Sequence, residues 1–169
     1  CCYFPNFIRM TCFVFGLNNI YPSYTSNFMT GFSHEKNQIV DQVMGSYLLI
    51  KYKSFMELNG FDERFFVYFE ELDLSYRAYL KGEKSLFLSD QSIFHLGGVS
   101  SSQVKSKRTF FYLRSKVLYI NKHFSYIQSL ILINLVLFIE PINRILKLLL
   151  LLKLKSIVEV LIAYLYFYK

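Results

Sequence analysis

The stretch GFDERFFVYFEELDLSYR, residues 60–77, places five carboxylates and two arginines among large aromatic side chains. Protein interiors rarely hold so many charges beside apolar rings unless the charges are paired or take part in chemistry. This stretch is therefore the first candidate for a functional site, and the rest of the chain is interpreted outward from it.

The second part of the stretch predicts a helix over Glu70–Leu80. Apolar and aromatic residues recur at helical spacing on one face, and Glu70, Asp73 and Arg77 share another. Acids in the first turn and bases in the last match the helix dipole, and Gly82 ends the helix. From these residues alone, the acids equally suit an ordinary helix start, and Asp73 with Arg77 a surface ion pair of about 0.2–0.5 kcal/mol.

The other residues up to 124 predict alternating short helices and strands, as in an α/β protein. We expect helices near residues 5–17 and over 53–59, a buried strand over 40–52, and strands at 84–88 and 93–95. A loop of small residues over 96–102 would let backbone approach a ligand closely. A long basic helix is expected over 103–124.

From residue 125 onward the composition turns apolar. Pro141 is expected to break the first run, 126–139, and two further runs follow over 145–154 and 157–168. No run reaches the roughly 18 clean apolar residues of a spanning helix. Amphipathic helices lying in the bilayer interface are the favoured interpretation, and a short hairpin dipping into the bilayer or a helical lid on a soluble core remain open.

Composition narrows the class of partner. The 169 residues carry a net charge of +7, with 53% hydrophobic and 18% charged residues. A basic, apolar protein suits anionic membrane surfaces or phosphorylated ligands, whereas the lack of a compact Lys/Arg run or nucleic-acid motif argues against nucleic acid. The three cysteines suggest neither a disulfide framework nor a zinc site, which favours a reducing compartment. Because the chain begins with Cys1, we expect a piece of a longer or processed product.

Several motifs follow one another in order: a small-residue turn at Gly45, Gly-Phe-Asp-Glu from Gly60, the acidic pair, Asp-Leu-x-x-Arg from Asp73, and His-x-Gly-Gly-x-Ser from His95. A basic helix comes next. This pattern resembles the acceptor-side signature of family 2 glycosyltransferases with the GT-A fold, in particular the rhamnosyltransferase-type enzymes of bacterial surface polysaccharide assembly. The resemblance covers about residues 38–124.

The resemblance implies a fold and a domain organisation. Residues 1–124 would form the C-terminal, acceptor-side half of an α/β, Rossmann-like GT-A domain, and residues 125–169 a helical, membrane-associating tail. In the family, a nucleotide-binding half ending in Asp-x-Asp comes first, and no Asp-x-Asp occurs in this chain. We therefore expect the chain to be the acceptor-binding half of an enzyme and to be inactive alone.

The resemblance also implies roles for the acidic stretch. Glu71 stands where the family has the base that deprotonates the acceptor hydroxyl. The family usually has Asp there, so Glu71 keeps the carboxylate on an arm one methylene longer. Glu70, Asp73 and Arg77 are expected to hold the Glu71 turn or to contact the acceptor. Asp62 either caps the short turn after it or hydrogen-bonds the acceptor.

Other residues are implied in binding the sugar, a metal and the diphosphate. Gly45 would let backbone approach a sugar, or is a plain strand-entry turn. His95 is a candidate ligand of a divalent metal, Mg²⁺ or Mn²⁺, whose other ligands are expected from the missing half. Ser100, Lys105 and Arg108 are candidate diphosphate contacts, although a solvated helix face or attraction to anionic headgroups explains the basic residues equally well.

Finally, the resemblance implies a reaction and a place. It is the transfer of a sugar, with inversion, from a nucleotide-sugar donor to a glycan or polyprenyl-linked acceptor. We expect peripheral or monotopic attachment at the cytoplasmic face of the bacterial inner membrane. The alternative is a non-catalytic, membrane-associated partner or scaffold that lacks its own nucleotide-binding half.

Overall fold

A computed structural model describes residues 1–94 and 105–168, in which helices predominate over strands. The mixture of helix and strand that the sequence predicts is present. The α-helices in this part of the chain are α1 Phe7–Val14, α2 Pro22–Thr25, α3 Tyr52–Glu57, α4 Glu70–Leu80, α5 Lys105–His123, α6 Tyr126–Asn134, α7 Glu140–Leu150 and α8 Leu154–Tyr168.

The described strands form a small antiparallel sheet. Strand β1 (Gln38–Val40) pairs with β2 (Ser85–Phe87), with Val40 opposite Ser85 and Gln38 opposite Phe87. On the other side, Cys2 makes isolated antiparallel bridges to Phe28 and Gln42. The strand predicted over 84–88 is confirmed as β2, which forms one edge of this narrow sheet.

The strand predicted over residues 40–52 is wrong. Only its first residue, Val40, lies in a strand, and a single 3₁₀ turn follows at Gly45–Tyr47. Residues 48–50 have the apolar composition of a buried strand, but no described strand pairs with them. Without a hydrogen-bonded neighbour, apolar composition alone does not make a strand. Residues 93–94 also lie outside any strand, and His95 lies outside the described residues.

Helices α3 and α4 confirm the predictions made from local signals. Helix α4 covers the predicted Glu70–Leu80, and α3 covers most of 53–59. Asn59 and Gly60 end α3 with φ of 57° and 65°, the left-handed geometry typical of a helix C-terminus. A Cβ on Gly60 would lie 3.2 Å from the Phe55 ring, so this position favours glycine in space as well as in φ.

One apolar core joins the N-terminal helix to the helices after residue 125. Full burial of each such side chain contributes about 1.5–3 kcal/mol. The cluster comprises Met10 and Val14 of α1, Leu113 and Ile120 of α5, Leu132 of α6, Val136, and Val160 and Tyr164 of α8. Residues on both sides of the predicted 124/125 boundary therefore pack into one core.

A buried ion pair lies beside this core. The ammonium of Lys116 on α5 donates to Oε2 of Glu140 at 2.7 Å, and Arg144 donates to Oε1 from the same helix as Glu140. Burial lowers the pKa of Lys116, and the charge of Glu140 counteracts part of that effect. Buried charges are tolerated only when paired in this way, so the pair fixes α7 against α5.

Pro141 does not break the helix, so that prediction is wrong. One π-helical turn, Leu135–Ile139, joins α6 to α7, and the helix continues over Tyr126–Leu150. Proline lacks the N–H that would bond the carbonyl of Leu137 one turn earlier. The hydroxyl of Tyr168, from α8, donates to that carbonyl instead. A wider turn and a donor from another helix thus replace what the proline removes.

The continuous helix also changes the expectation about its length. Its 25 residues are long and apolar enough, by length and composition, to cross a membrane, a property that core helices of soluble proteins share. Large apolar side chains are exposed at its end and in the turn that follows, with Leu150 and Leu152 both 86% exposed. Contiguous apolar surface of this kind marks a contact with a membrane or a protein.

Candidate functional site

The turn before α4 has unusual backbone geometry. Tyr68 and Phe69, immediately before the acidic pair, have φ of 66° and 69°. Bulky residues rarely adopt this left-handed region, at a cost of about 1–3 kcal/mol each, and persist there only when surrounding contacts hold them. Strained backbone of this kind concentrates at functional sites, and here it orients the first turn of α4.

Helix α5 supplies the contacts that hold this turn. The ring of Phe69 packs against Tyr112 and Tyr119, with centroids 5.4 and 5.5 Å away. The hydroxyl of Ser115 donates to the carbonyl of Val67 at 2.8 Å. The basic helix predicted from the sequence therefore positions the acidic pair from behind, a role that its charge pattern does not indicate.

The acidic pair is buried without being paired. One carboxylate oxygen of Glu70 and one of Glu71, Oε2 in both, are inaccessible to solvent and have no hydrogen-bond partner among the described residues. Burial raises the pKa of Glu70, and the neighbouring charge of Glu71 adds to the rise. A buried acceptor without a partner is costly, so these oxygens are available to a ligand that brings a hydroxyl or another donor.

Gly45 lies directly against Glu71. A Cβ on Gly45 would lie 3.3 Å from both Cβ and Cγ of Glu71, so a side chain at this position would press on the carboxylate arm. The thiol of Cys2 is also close enough to Glu71 to interact with its charge. Burial raises the pKa of that thiol, and Glu71 raises it further. The structure thus brings together Gly45 and the acidic pair, as the sequence predicts.

Asp73 has a different environment from the acidic pair. It is fully buried, and Arg77 donates to its Oδ2 at 2.8 Å, while Lys122 and His123 contact its Oδ1 at 2.6 and 2.7 Å. Burial alone would raise the pKa of Asp73, but hydrogen bonds from His123, Lys122 and Arg77 outweigh it and hold the pKa below its usual value. Both oxygens of Asp73 are therefore committed to protein partners.

Arg77 links this cluster to the Gly-Phe-Asp-Glu loop. Besides Asp73, its guanidinium donates to the carbonyls of Leu58 and Gly60 at the end of α3. The predicted pair of Asp73 and Arg77 exists, but it is part of a buried network rather than an isolated surface pair. It holds the loop and α4 together, in keeping with the positioning role the sequence suggested.

Asp62 is likewise occupied. Arg64 donates to both of its oxygens, from Nε at 2.9 Å and from a terminal nitrogen at 2.6 Å, and Lys122 adds a third contact at 2.7 Å. The hydrogen bond from Arg64 is the main reason that the pKa of Asp62 lies far below its usual value, and Lys122 contributes too. The backbone N–H of Arg64 also bonds Asp62, as expected for a cap of this turn.

The predicted metal and diphosphate contacts fall mostly outside this region. His95 and Ser100 lie outside the described residues, Lys105 begins α5, and Arg108 is exposed on the first turns of that helix. Within residues 1–94 and 105–168, no group of three or more His, Cys, Asp or Glu side chains is placed to hold a metal ion. The described residues therefore do not form a metal site by themselves, and the divalent metal stays a prediction.

Sequence reasoning missed the two residues that complete the cluster around Asp73. Lys122 and His123, at the end of α5, contact an aspartate 50 residues away in the chain. The rings of Tyr76 and Tyr119 also flank His123, with centroids 4.8 and 4.6 Å away. In the sequence both residues are simply basic residues at a helix C-terminus, so no local signal singles them out.

Comparison with known proteins points to a class of enzyme. The chain is 29% identical over 118 residues to rhamnosyltransferase WbbL of Escherichia coli K12. Over 56 residues it is 36% identical to N-acetylglucosaminyl-diphospho-decaprenol L-rhamnosyltransferase of Mycobacterium tuberculosis, in two strains. These similarities support a glycosyltransferase, in agreement with the motifs. No protein-family model matches the chain, and no solved structure does.

The matches are partial on both sides. The WbbL match covers 61% of this chain and 45% of WbbL, and the mycobacterial match covers 33% and 18%. The chain therefore spans less than half the length of the curated relatives it matches. An activity that requires the whole of such a relative is a matter for proposal.

Proposed function

We propose that the chain is the acceptor-side part of a glycosyltransferase of bacterial cell-envelope polysaccharide synthesis. It would transfer a sugar, with rhamnose the first candidate, from a nucleotide-sugar to a glycan or polyprenyl-linked acceptor. The observation that carries the proposal is the acidic pair, whose two buried carboxylate oxygens lack partners among the described residues. The similarity to two rhamnosyltransferases supports it independently.

The proposed chemistry assigns distinct roles to the acids. Glu71 accepts the proton of the acceptor hydroxyl, which then attacks the anomeric carbon with inversion. Glu70 accepts a hydrogen bond from the acceptor, while Asp73 and Asp62, saturated by cations, hold the scaffold. Positive charge from Arg108 and the predicted contacts at Ser100 and Lys105 stabilises the leaving diphosphate. His95 and a divalent metal belong to the proposed donor side, for which the described residues offer no complete site.

A chimera tests this function. The segment of WbbL that matches this chain is replaced by the chain, and sugar transfer from a nucleotide-sugar is measured in membranes. We expect transfer by the chimera and no turnover by the isolated chain, because the chain spans under half of that relative.

The control is the same chimera carrying Glu71→Gln, which tests whether the activity depends on the inserted site. Turnover by the isolated chain with any nucleotide-sugar contradicts the proposed division of labour. A folded chimera that binds nucleotide-sugar but is inactive contradicts the proposed function.

We further propose that the helices after residue 125 attach the chain to the cytoplasmic face of the inner membrane. Leu150, Leu151, Leu152 and Leu154 form exposed apolar surface beside Lys153 and Lys155. Apolar residues flanked by lysines suit a helix at the level of anionic headgroups. The polyprenyl-linked acceptors of such enzymes would lie in the same membrane.

Vesicle binding tests the attachment. The double variant Leu150→Glu/Leu152→Glu should reduce binding to vesicles of phosphatidylethanolamine and phosphatidylglycerol by about tenfold or more, because each buried leucine contributes about 1.5–3 kcal/mol. Leu49→Glu, a similar change at an exposed leucine far from this surface in sequence, should leave binding unchanged. Equal losses in both proteins, or no loss in either, would contradict the proposal.

A further inference from the structure

A groove of about 800 Å³ runs alongside α4, on the face that continues from Glu71. One wall is the segment of residues 43–51, which includes the apolar residues 48–50. The floor includes Leu74, Ser75 and Ala78 of α4, and the opposite wall includes β2. The groove is therefore built from three elements of the candidate site.

The first wall is a strand without a partner. Leu48 has φ of −120° and ψ of 122°, within the range of β-strands, and Leu49 is 78% exposed. No amide or carbonyl of residues 48–50 makes a backbone hydrogen bond to another described residue. An extended apolar segment with free backbone groups is a template for pairing with another strand.

The opposite wall is an open sheet edge. Strand β2 pairs with β1 along one side, and along its other side no described strand is present. Leu86 of β2 is 54% exposed, and Leu88 just beyond it is also exposed. Two unpaired backbone edges, each carrying exposed leucines, thus line the same groove.

We propose that this groove is the docking site of an extended, apolar β-strand contributed by the donor-binding part of the transferase. The inference rests on the proposed function, which requires such a part, and on the fact that more than half of WbbL has no counterpart in this chain. A peptide strand supplies both the apolar side chains that fill the groove and the backbone groups that pair with its edges. An isoprenoid chain of the acceptor matches the first requirement only.

Docking at this position completes the candidate site. Met44 and Ser46, on either side of Gly45, line the groove, and Gly45 contacts Glu71. Leu74, Ser75 and Ala78 follow Glu71 at helical spacing of three, four and seven residues, on the same face of α4. A docked strand therefore covers the side of α4 next to Glu71, excludes water from it and brings the donor-binding part against the proposed base.

The test combines capture with hydrogen exchange. The chain is co-expressed with the portion of WbbL that lies outside the matched segment, and affinity capture of that portion is followed by amide exchange. We expect capture of the wild-type chain and slower exchange, by about tenfold or more, at residues 48–50 and at Ser85–Phe87. Leu49→Glu should weaken the measured Kd by about tenfold or more, since it places a charge in an apolar contact, and Leu152→Glu, the control, should not.

The outcomes separate this proposal from others. No capture of the wild-type chain, capture without protection of these amides, or equal weakening by Leu49→Glu and Leu152→Glu overturns it. Protection of the same amides by a polyprenyl phosphate alone would assign the groove to lipid. If capture and protection occur as expected but the WbbL chimera transfers no sugar, the docking site stands and the proposed function fails.

Discussion

Replacing Glu71 by Gln in the active WbbL chimera should reduce kcat by about 10²–10⁴-fold, the contribution typical of a general base. Gln keeps nearly the same shape, so the chimera should fold normally and bind nucleotide-sugar with little change in Kd. A loss in kcat and kcat/KM together, with unchanged donor binding, is the signature of an interaction made in the transition state. Single-turnover transfer and donor titration measure the two quantities.

Hydrogen-bond accounting is the reason to choose Glu71 among the five carboxylates of residues 60–77. A base needs a lone pair that no cation already holds. Asp62 and Asp73 have both oxygens bound by Arg64, Lys122, Arg77 or His123, and Glu63 is exposed. The acidic pair alone among these five combines burial with an uncommitted oxygen. Of the two, Glu71 lies under Gly45, where the resemblance also places the base.

Two matched variants sharpen this test. Glu63→Gln makes the same chemical change at an exposed carboxylate of the same stretch and should leave kcat within about twofold, as surface substitutions usually do. Glu70→Gln should raise KM for the acceptor more than it lowers kcat, if Glu70 binds the acceptor. Activity of Glu71→Gln within tenfold of the parent would show that Glu71 is not the base, and a larger effect of Glu70→Gln on kcat would transfer the role to Glu70.

The fold could be predicted where the determining signals are local. Acids at the start of α4 and Gly82 after it predict the helix boundaries correctly, and α3 ends where Gly60 indicates. The sequence fails where distant groups decide. The helix passes Pro141 because Tyr168, 31 residues from Leu137, supplies a donor, and residues 48–50 remain unpaired because no described strand lies beside them. Neither fact can be read from a local window.

The candidate site divides in the same way. The motifs predicted Gly45, the acidic pair and the pair of Asp73 with Arg77, and the structure brings these residues together. They did not predict Lys122 and His123, which reach Asp73 from another helix. They also did not predict the left-handed turn at Tyr68 and Phe69, since aromatic residues give no signal for positive φ.

Replacing Asp73 by Asn should produce the largest loss of stability, about 3–5 kcal/mol at pH 7, because it removes the one buried anion shared by Arg77, Lys122 and His123. Asn nearly preserves the volume, so the loss reports charge and hydrogen bonding rather than a cavity. Urea denaturation of the chain, monitored by circular dichroism, measures the difference in free energy of unfolding. The matched control is Asp90→Asn, an exposed carboxylate in the same chain, which should change stability by no more than about 0.5 kcal/mol.

The dependence on pH gives this prediction a sign that a merely disruptive substitution would lack. The partners of Asp73 hold its pKa in the folded protein below the unfolded value of about 3.9. Its contribution to stability is therefore fully present above about pH 5 and is lost as pH falls through the unfolded value towards the folded one. Wild type should lose stability in acid more steeply than Asp73→Asn, and the two curves should converge. A difference that stays constant from pH 7 to pH 3, or that is already below about 1 kcal/mol at pH 7, would show that Asp73 does not hold the cluster together through its charge.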